Sequence, residues 1–190
     1  MTKSDVFPDD SAPARFRIII AFARWTALSA LRSGRHLKSR ADIYPLLDAL
    51  PWDELLDARR GAIGTKQFAE WHRRAIEMIT TRSPLPVGWA AKLVNVYLKT
   101  AVYIGGLGRP GLGGLLHPPL DAGLWTGLAR QFGKDSAVCL KTHSRISIQS
   151  IDTYDSYMTI IEGCGLAAEA AGCTLIEVEQ WWDGAASPAV

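Results

Sequence analysis

Apolar residues recur at helical spacing along almost the whole chain, and no run of alternating apolar and polar positions is long enough to predict a strand. A first helix is expected from Ser11-Ala12-Pro13 to about Ser33, closed by Gly34. It would carry Arg17, Arg24, Leu28 and Leu31 on one face and Ile18, Phe22, Trp25 and Ser29 on another. A short helix is expected from Arg40 into Leu50, with Pro45 limiting its first part, and Pro51 suits the first position of another that ends at Arg59. Phe68, Trp71, Ala75, Met78 and Ile79 mark an amphipathic helix over Thr65 to Thr81. The turn at 83–88 then launches a long helix from Trp89 to about Ile104. A glycine-rich loop, 105–114, and Pro118-Pro119 lead into a helix over Asp121 to Phe132. Val138 to Ile148 reads as loop with a short extended piece, Asp152 to Ala171 as a helix broken near Gly163 and Gly165, and Thr174 to Trp182 as a last short helix. The fold class expected is all-α: a compact array of about eight helices in one domain, 13–183, between flexible segments 1–12 and 184–190.

Composition narrows the class further. With 190 residues, 48% hydrophobic and 21% charged, the chain can bury a full core. That excludes a disulfide-stapled miniprotein, a collagen-like chain and a disordered tail. Cys139, Cys164 and Cys173 are odd in number and match no metal or cluster spacing, so they read as reduced thiols inside a cell. The start, MTKSDVFPDD, places acids and Pro where a signal peptide needs a basic and then an apolar run. Ile18 to Leu31 contains Arg24 and falls short of the roughly 20 residues that span a bilayer. A cytoplasmic protein with no membrane contact is expected.

The net charge of +2 hides an asymmetry. Arg15, Arg17, Arg24, Arg32, Arg35, Lys38 and Arg40 crowd the stretch 11–41, which holds no acid, whereas the chain after Arg145 holds seven acids and no base. Either part of the surface meets a polyanion, or two solvated faces attract each other across the fold.

Several motif matches fail on context. Gly106-Leu107-Gly108-Arg109-Pro110-Gly111 satisfies G-x-G-x-x-G but follows a helix rather than a strand. GLARQFGKD, 127–135, has one residue too many for a P-loop and Asp where magnesium needs Ser or Thr. There is no G-x-S-x-G or H-E-x-x-H, and His36, His72, His117 and His143 are scattered, so neither a metal site nor a cofactor is expected.

The informative stretch is Pro86 to Trp125. The short turn Leu85-Pro86-Val87-Gly88 joins two helices and would leave the first amides of the second unpaired at its positive end, which suits a phosphate. Gly88, Lys92, Asn95 and Lys99 follow one another at spacings of four, three and four, a polar stripe on an otherwise apolar helix. Such a stripe either faces solvent or lines a cleft. His117-Pro118-Pro119-Leu120-Asp121 then sets a carboxylate at the start of the next helix, where an ordinary N-cap would also sit.

Together the hairpin, the lysine just inside the following helix and the x-Pro-x-Asp element resemble the helix-hairpin-helix DNA glycosylase superfamily, in particular its 8-oxoguanine glycosylase-like branch. In that family the hairpin ends in Pro-Gly-Val-Gly, a catalytic Lys lies in the helix it opens, and a Val-Asp pair after a proline supplies the catalytic carboxylate. Pro86-Val87-Gly88 takes the hairpin's place here, Lys92 that of the lysine, and Pro119-Leu120-Asp121 that of the Pro-Val-Asp element. Leu124-Trp125 fits the apolar residues that continue the family's helix. The likeness covers about 40 residues closely. The hairpin lacks one of the family's glycines, and the 29-residue separation of Lys92 and Asp121 exceeds the family's, largely through the loop 105–114. That loop is either a neutral insertion or a reshaped groove that admits another base. The family's iron–sulfur branch needs four closely spaced cysteines, which this chain lacks.

The resemblance implies a monomeric enzyme that flips a damaged or modified base out of double-stranded DNA and excises it, leaving an abasic site. The base would be an oxidised purine, or a bulky modified base of foreign DNA if the enzyme serves defence. Lys92 would attack the sugar as a neutral amine, giving a Schiff base that permits strand cleavage as a second activity. Asp121 would stabilise the positive charge that develops on the sugar. Gly88, Asn95, Lys99, His117 and Trp125 are candidate contacts to the flipped nucleotide or its phosphates, and Arg17 and Arg24 candidate contacts to the duplex backbone. Trp25, Trp71 and His72 are further candidates for a base pocket, with core packing the commoner role for each. Trp181-Trp182-Asp183 is expected to pack the last helix. Two other readings compete: a non-catalytic helix-hairpin-helix module in which Lys92 touches phosphate and Asp121 is a cap, and an all-α protein-interaction domain.

Overall fold

A computed structural model describes residues 13–31, 37, 39–142 and 147–183. The segments expected to be flexible, 1–12 and 184–190, and the helix stop expected at Gly34 lie outside the described residues. The class is all-α, and no strand occurs among the described residues. Helix α1, Ala14–Leu31, precedes α2, Arg40–Asp48, and the short α3, Asp53–Leu56. Then come α4, Thr65–Arg82, and α5, Val87–Leu98, which widens into a π-helix over Lys99–Ile104. After a loop with a 3-10 turn at Leu112–Leu115, the chain forms α6, Ala122–Phe132, α7, Ala137–Lys141, and α8, Tyr154–Ala171, and closes with a 3-10 segment, Leu175–Trp181.

Helix α5 is the axis of the fold. Its sequence, VGWAAKLVNVYL, is apolar all round except for Lys92 and Asn95, and each residue from Gly88 to Leu98 is buried. A helix apolar all round needs neighbours all round, and α1, α4 and α8 supply them. Helix α1 runs against it in the opposite direction: Ile19 packs on Gly105, where a methyl group would come within 2.5 Å of its side chain, and Thr26 Oγ1 lies 2.9 Å from Thr100 Oγ1. Trp52 stacks on Tyr97 at 4.1 Å and meets the Trp71 ring at a tilt at 5.3 Å, with its indole N–H on Leu47 O. No single helix among the described residues is long and apolar enough to cross a membrane.

Four local expectations are corrected. Pro45 does not limit α2, because a Ser39/Asp42 capping box starts the helix and burial of Ile43, Leu46 and Leu47 holds it past the proline. Pro51 to Arg59 is not one helix. The chain straightens at Asp57 (ψ 98°), whose carboxylate caps a 3-10 turn at Ala58–Arg60. The stretch read as loop or extended from Val138 begins as α7, capped by Ser136. Helix α8 runs unbroken through Gly163 and Gly165. Gly163 is there for contact: a Cβ would meet Thr142 at 2.7 Å, so the glycine lets α7 lie on α8.

The charge asymmetry resolves into local pairs. Acids of the C-terminal half meet cations from the middle of the chain, as Asp155–Arg73, Glu162–Lys141, Glu179–Lys99 and Asp183–Arg130.

Candidate functional site

The hairpin between α4 and α5 is present, with Pro86 as the residue before the helix. Its first amides are not all unpaired, contrary to the expectation for a phosphate site. Gly88 N–H donates to Ile151 O at 3.0 Å. A Cβ on Gly88 would sit 2.3 Å from Ile148 O, so this glycine lets the segment 148–151 cover the hairpin rather than admitting a ligand there.

One turn further along α5, Lys92 is 8% exposed, and its Nζ reaches Asp121 Oδ2 at 3.2 Å. Two positions 29 residues apart therefore meet, one in the middle of α5 and the other at the start of α6. The stem lies beside Trp89, whose ring centroid is 5.4 Å from Nζ, within range of a cation–π contact. Asp121 is also the N-cap of α6: Oδ1 accepts from Leu124 N–H at 3.0 Å and from the Trp182 indole N–H at 2.8 Å. The capping role and the pairing with Lys92 use different oxygens and coexist. Trp182 is thus more than packing for the last segment, which corrects the sequence reading. Trp181 does pack, edge-on to Phe132, and Asp183 pairs with Arg130.

Two turns beyond Lys92, Lys99 pairs with Glu179 at 2.8 Å. Burial pushes the Glu179 carboxyl up from its ordinary value, Lys99 beside it pulls it down, Asp121 pushes it up again and Lys92 opposes. Glu179 therefore feels both members of the first pair, and the two lysines and two carboxylates form one cluster. A cavity of about 500 Å³ opens next to it, with Lys99 and Glu179 among its lining.

Asn95, between the lysines on the same stripe, does something else. It is 1% exposed and sits in a closed hydrogen-bond network. Its Nδ2 donates to Pro118 O at 3.2 Å and to the Tyr157 hydroxyl at 2.9 Å. Its Oδ1 then must accept from His72 Nε2, 2.9 Å away, leaving His72 Nδ1 to accept from the Tyr154 hydroxyl. The Tyr157 proton goes to His117 Nδ1 at 3.0 Å. Every link closes with both histidines neutral. Burial lowers His72 to about 4, against a partial offset from Asn95, and burial together with the neighbouring His72 lowers His117. Through Pro118 O the network anchors the chain three residues before Asp121.

The structure therefore brings Lys92, Asp121 and Lys99 into one cluster and sets Asn95 and His117 behind it, as supports rather than open contacts. Trp125 is 5% exposed, and its indole N–H is buried with no hydrogen-bond partner. Trp71 and His72 are core, as is common for such residues, while Trp25 is 46% exposed and stacked on Phe22. Arg24 is engaged within the fold, with Asp48 at 2.9 Å and the Tyr44 ring at 4.2 Å. Arg17 lies in the first turn of α1, the end of that helix that packs on Gly105 through Arg15 and Ile19.

Sequence reasoning missed Glu179 and Tyr157. Glu179 stands two residues after Glu177 in a short segment and carries no motif, although an apolar helix bearing Lys99 called for a carboxylate somewhere. Among the described residues no group of three or more His, Cys, Asp or Glu side chains is placed to hold a metal ion. No protein-family model, curated protein or solved structure matches the chain.

Proposed function

We propose that the protein is a DNA glycosylase, a cytoplasmic monomer that extrudes a damaged or modified base from double-stranded DNA and excises it to leave an abasic site. The observation that carries this reading is the contact of Lys92 Nζ with Asp121 Oδ2 at 3.2 Å. The resemblance to the helix-hairpin-helix glycosylases singles out these two residues, and they are in contact, with Lys92 buried in α5 and Asp121 partly exposed at the start of α6. An oxidised purine and a bulky modified base of foreign DNA are the two substrate classes.

In this chemistry the Lys92 amine, having given up a proton, offers its lone pair to the sugar C1′. The C1′–N bond breaks, and the base leaves with that bond's electron pair and takes up a proton. Positive charge builds on the sugar as the bond opens, and the Asp121 carboxylate lies where it can stabilise it. Leu124 N–H and Trp182 Nε1–H hold the carboxylate in place while Lys92 moves to the sugar. The C1′–O4′ bond of the covalent adduct then opens as the nitrogen lone pair forms the C1′=N bond, and the amine proton passes to O4′, giving a Schiff base from which strand cleavage can follow.

Borohydride reduction on a panel of duplexes with modified bases tests this. Wild type should give a covalent protein–DNA adduct on at least one duplex, and Lys92→Ala none. Asp121→Asn should slow release of the free base, read by mass spectrometry. If no duplex yields abasic sites and both variants behave as wild type, the reading is wrong. Affinity for DNA should fall as salt rises, because phosphate contacts release counterions.

A further inference from the structure

The cavity of about 500 Å³ falls within the roughly 300–1,000 Å³ of small-ligand sites. Its lining includes Lys99, Tyr103, Ile176, Glu177, Glu179 and Gln180. One wall is the 3-10 segment Leu175–Trp181, and the next residue, Trp182, is the one that donates to Asp121. The cavity and the Lys92–Asp121 pair therefore share a structural element and, through Glu179, an electrostatic environment.

Most polar groups of this lining are already occupied. Glu177 accepts from the Tyr103 hydroxyl on one oxygen and from the Thr174 N–H and hydroxyl on the other. Gln180 turns its amide toward Cys173 Sγ. What remains for a ligand is the Lys99–Glu179 pair. Glu179 Oε1 has no hydrogen-bond partner among the described residues, and Lys99 uses one of its three protons on Oε2. A cation donor and a carboxylate acceptor thus stand side by side. Two carboxylates against one ammonium repel a phosphate, so Lys99 is poorly placed to bind the DNA backbone from here.

We propose that this cavity receives the extruded base and that Lys99 and Glu179 read it together, selecting bases that carry an amino group beside an oxo group. This rests on the glycosylase reading and names its substrate class. Glu179 accepts from the exocyclic amine, and Lys99 donates to the oxo oxygen. Guanine-type and cytosine-type bases present both groups. Adenine-type bases lack the oxo group and thymine- or uracil-type bases the amine, so each leaves one member of a sheltered pair without a partner. The cavity also has room for substituents on the base.

Two experiments on the intact protein test it. In the first, release rates are compared on duplexes carrying modified guanine, cytosine, adenine and uracil. The amino-oxo classes should be released about 10- to 100-fold faster than the others. Glu179→Gln, which exchanges one acceptor for a donor, should bring that ratio down to within about threefold. Equal release of all classes by wild type, or a Glu179→Gln variant that slows every class alike and keeps the ratio, overturns the proposal. In the second, guanosine, cytidine, adenosine and uridine are titrated into the ¹⁵N-labelled protein. Guanosine and cytidine should shift amide signals of 99–103 and 175–181, and adenosine and uridine should not; no shift with any nucleoside overturns the assignment. A protein that passes the titration but releases no base keeps the cavity's ligand class and loses the glycosylase reading. One that releases bases without class preference does the reverse.

Discussion

Lys92 and Asn95 stand three residues apart on one helix, both buried, and their surroundings differ in kind. Asn95 is enclosed by His72, Pro118, Tyr157 and, through them, His117 and Tyr154, with its own amide donors and acceptor and both ring nitrogens of His72 matched. Lys92 meets a carboxylate that is 21% exposed and already holds two other donors, beside a second lysine–carboxylate pair and a cavity. A closed neutral network has one arrangement and rigidifies what it touches. An open cluster of charges can exchange partners when a ligand arrives. The first region holds the 117–121 segment in position; the second sets two lysine–carboxylate pairs beside a cavity.

Breaking the open pair should have the largest effect, and on activity. Lys92→Met keeps the buried stem and removes the amine, so base release should fall by at least about 1,000-fold, while thermal melting shifts by no more than about 1 kcal/mol because Asp121 keeps Leu124 N–H and Trp182 as partners. Retained activity would remove Lys92 from the chemistry.

The closed network should respond in the opposite way. Asn95→Ala strips partners from His72, Pro118 O and Tyr157 at once, and urea unfolding should show a loss of about 3 kcal/mol or more. A loss below about 1 kcal/mol would mean that the network is slack.

Acid should select between the regions as well. His72 titrates at about 4 in the fold and near 6.5 once unfolded. Between those values the unfolded chain binds a proton that the folded one does not, so stability is full above about pH 6.5 and declines toward pH 4, by on the order of 3 kcal/mol for this group. His117, lowered in the same direction, adds to the slope. Unfolding free energies that stay flat from pH 7 to 4.5 would contradict neutral histidines in the core.

The smallest change expected is for Trp182→Phe, which removes one donor from Asp121 Oδ1 and leaves Leu124 N–H. Base release should slow by roughly tenfold, as for a single hydrogen bond to a charged group. If melting drops and activity does not, the indole serves packing alone.

Much of this was legible in the chain. Pro86, Gly88 and Asp121 were identifiable because each sits at a helix boundary, where backbone geometry restricts the residue types allowed, and Lys92 through its place on the polar stripe and the family resemblance. Local pattern failed where distant packing decided. Pro45 is carried inside α2 by three buried side chains, Gly163 marks a helix crossing rather than a break, and Gly88 serves a neighbouring segment instead of a phosphate. The stripe of Lys92, Asn95 and Lys99 could be read as polar, but not as two different environments.

The sequence by itself determined an all-α chain, the axial helix α5 and the two residues most worth testing, since periodicity, prolines and capping act within a few residues along the backbone. Only the tertiary structure decided that Lys92 and Asp121 touch, that Glu179 and Trp182 join them from the end of the chain, and that Asn95 is enclosed. Those contacts span 23 to 80 residues and depend on how whole helices pack, which no local pattern encodes.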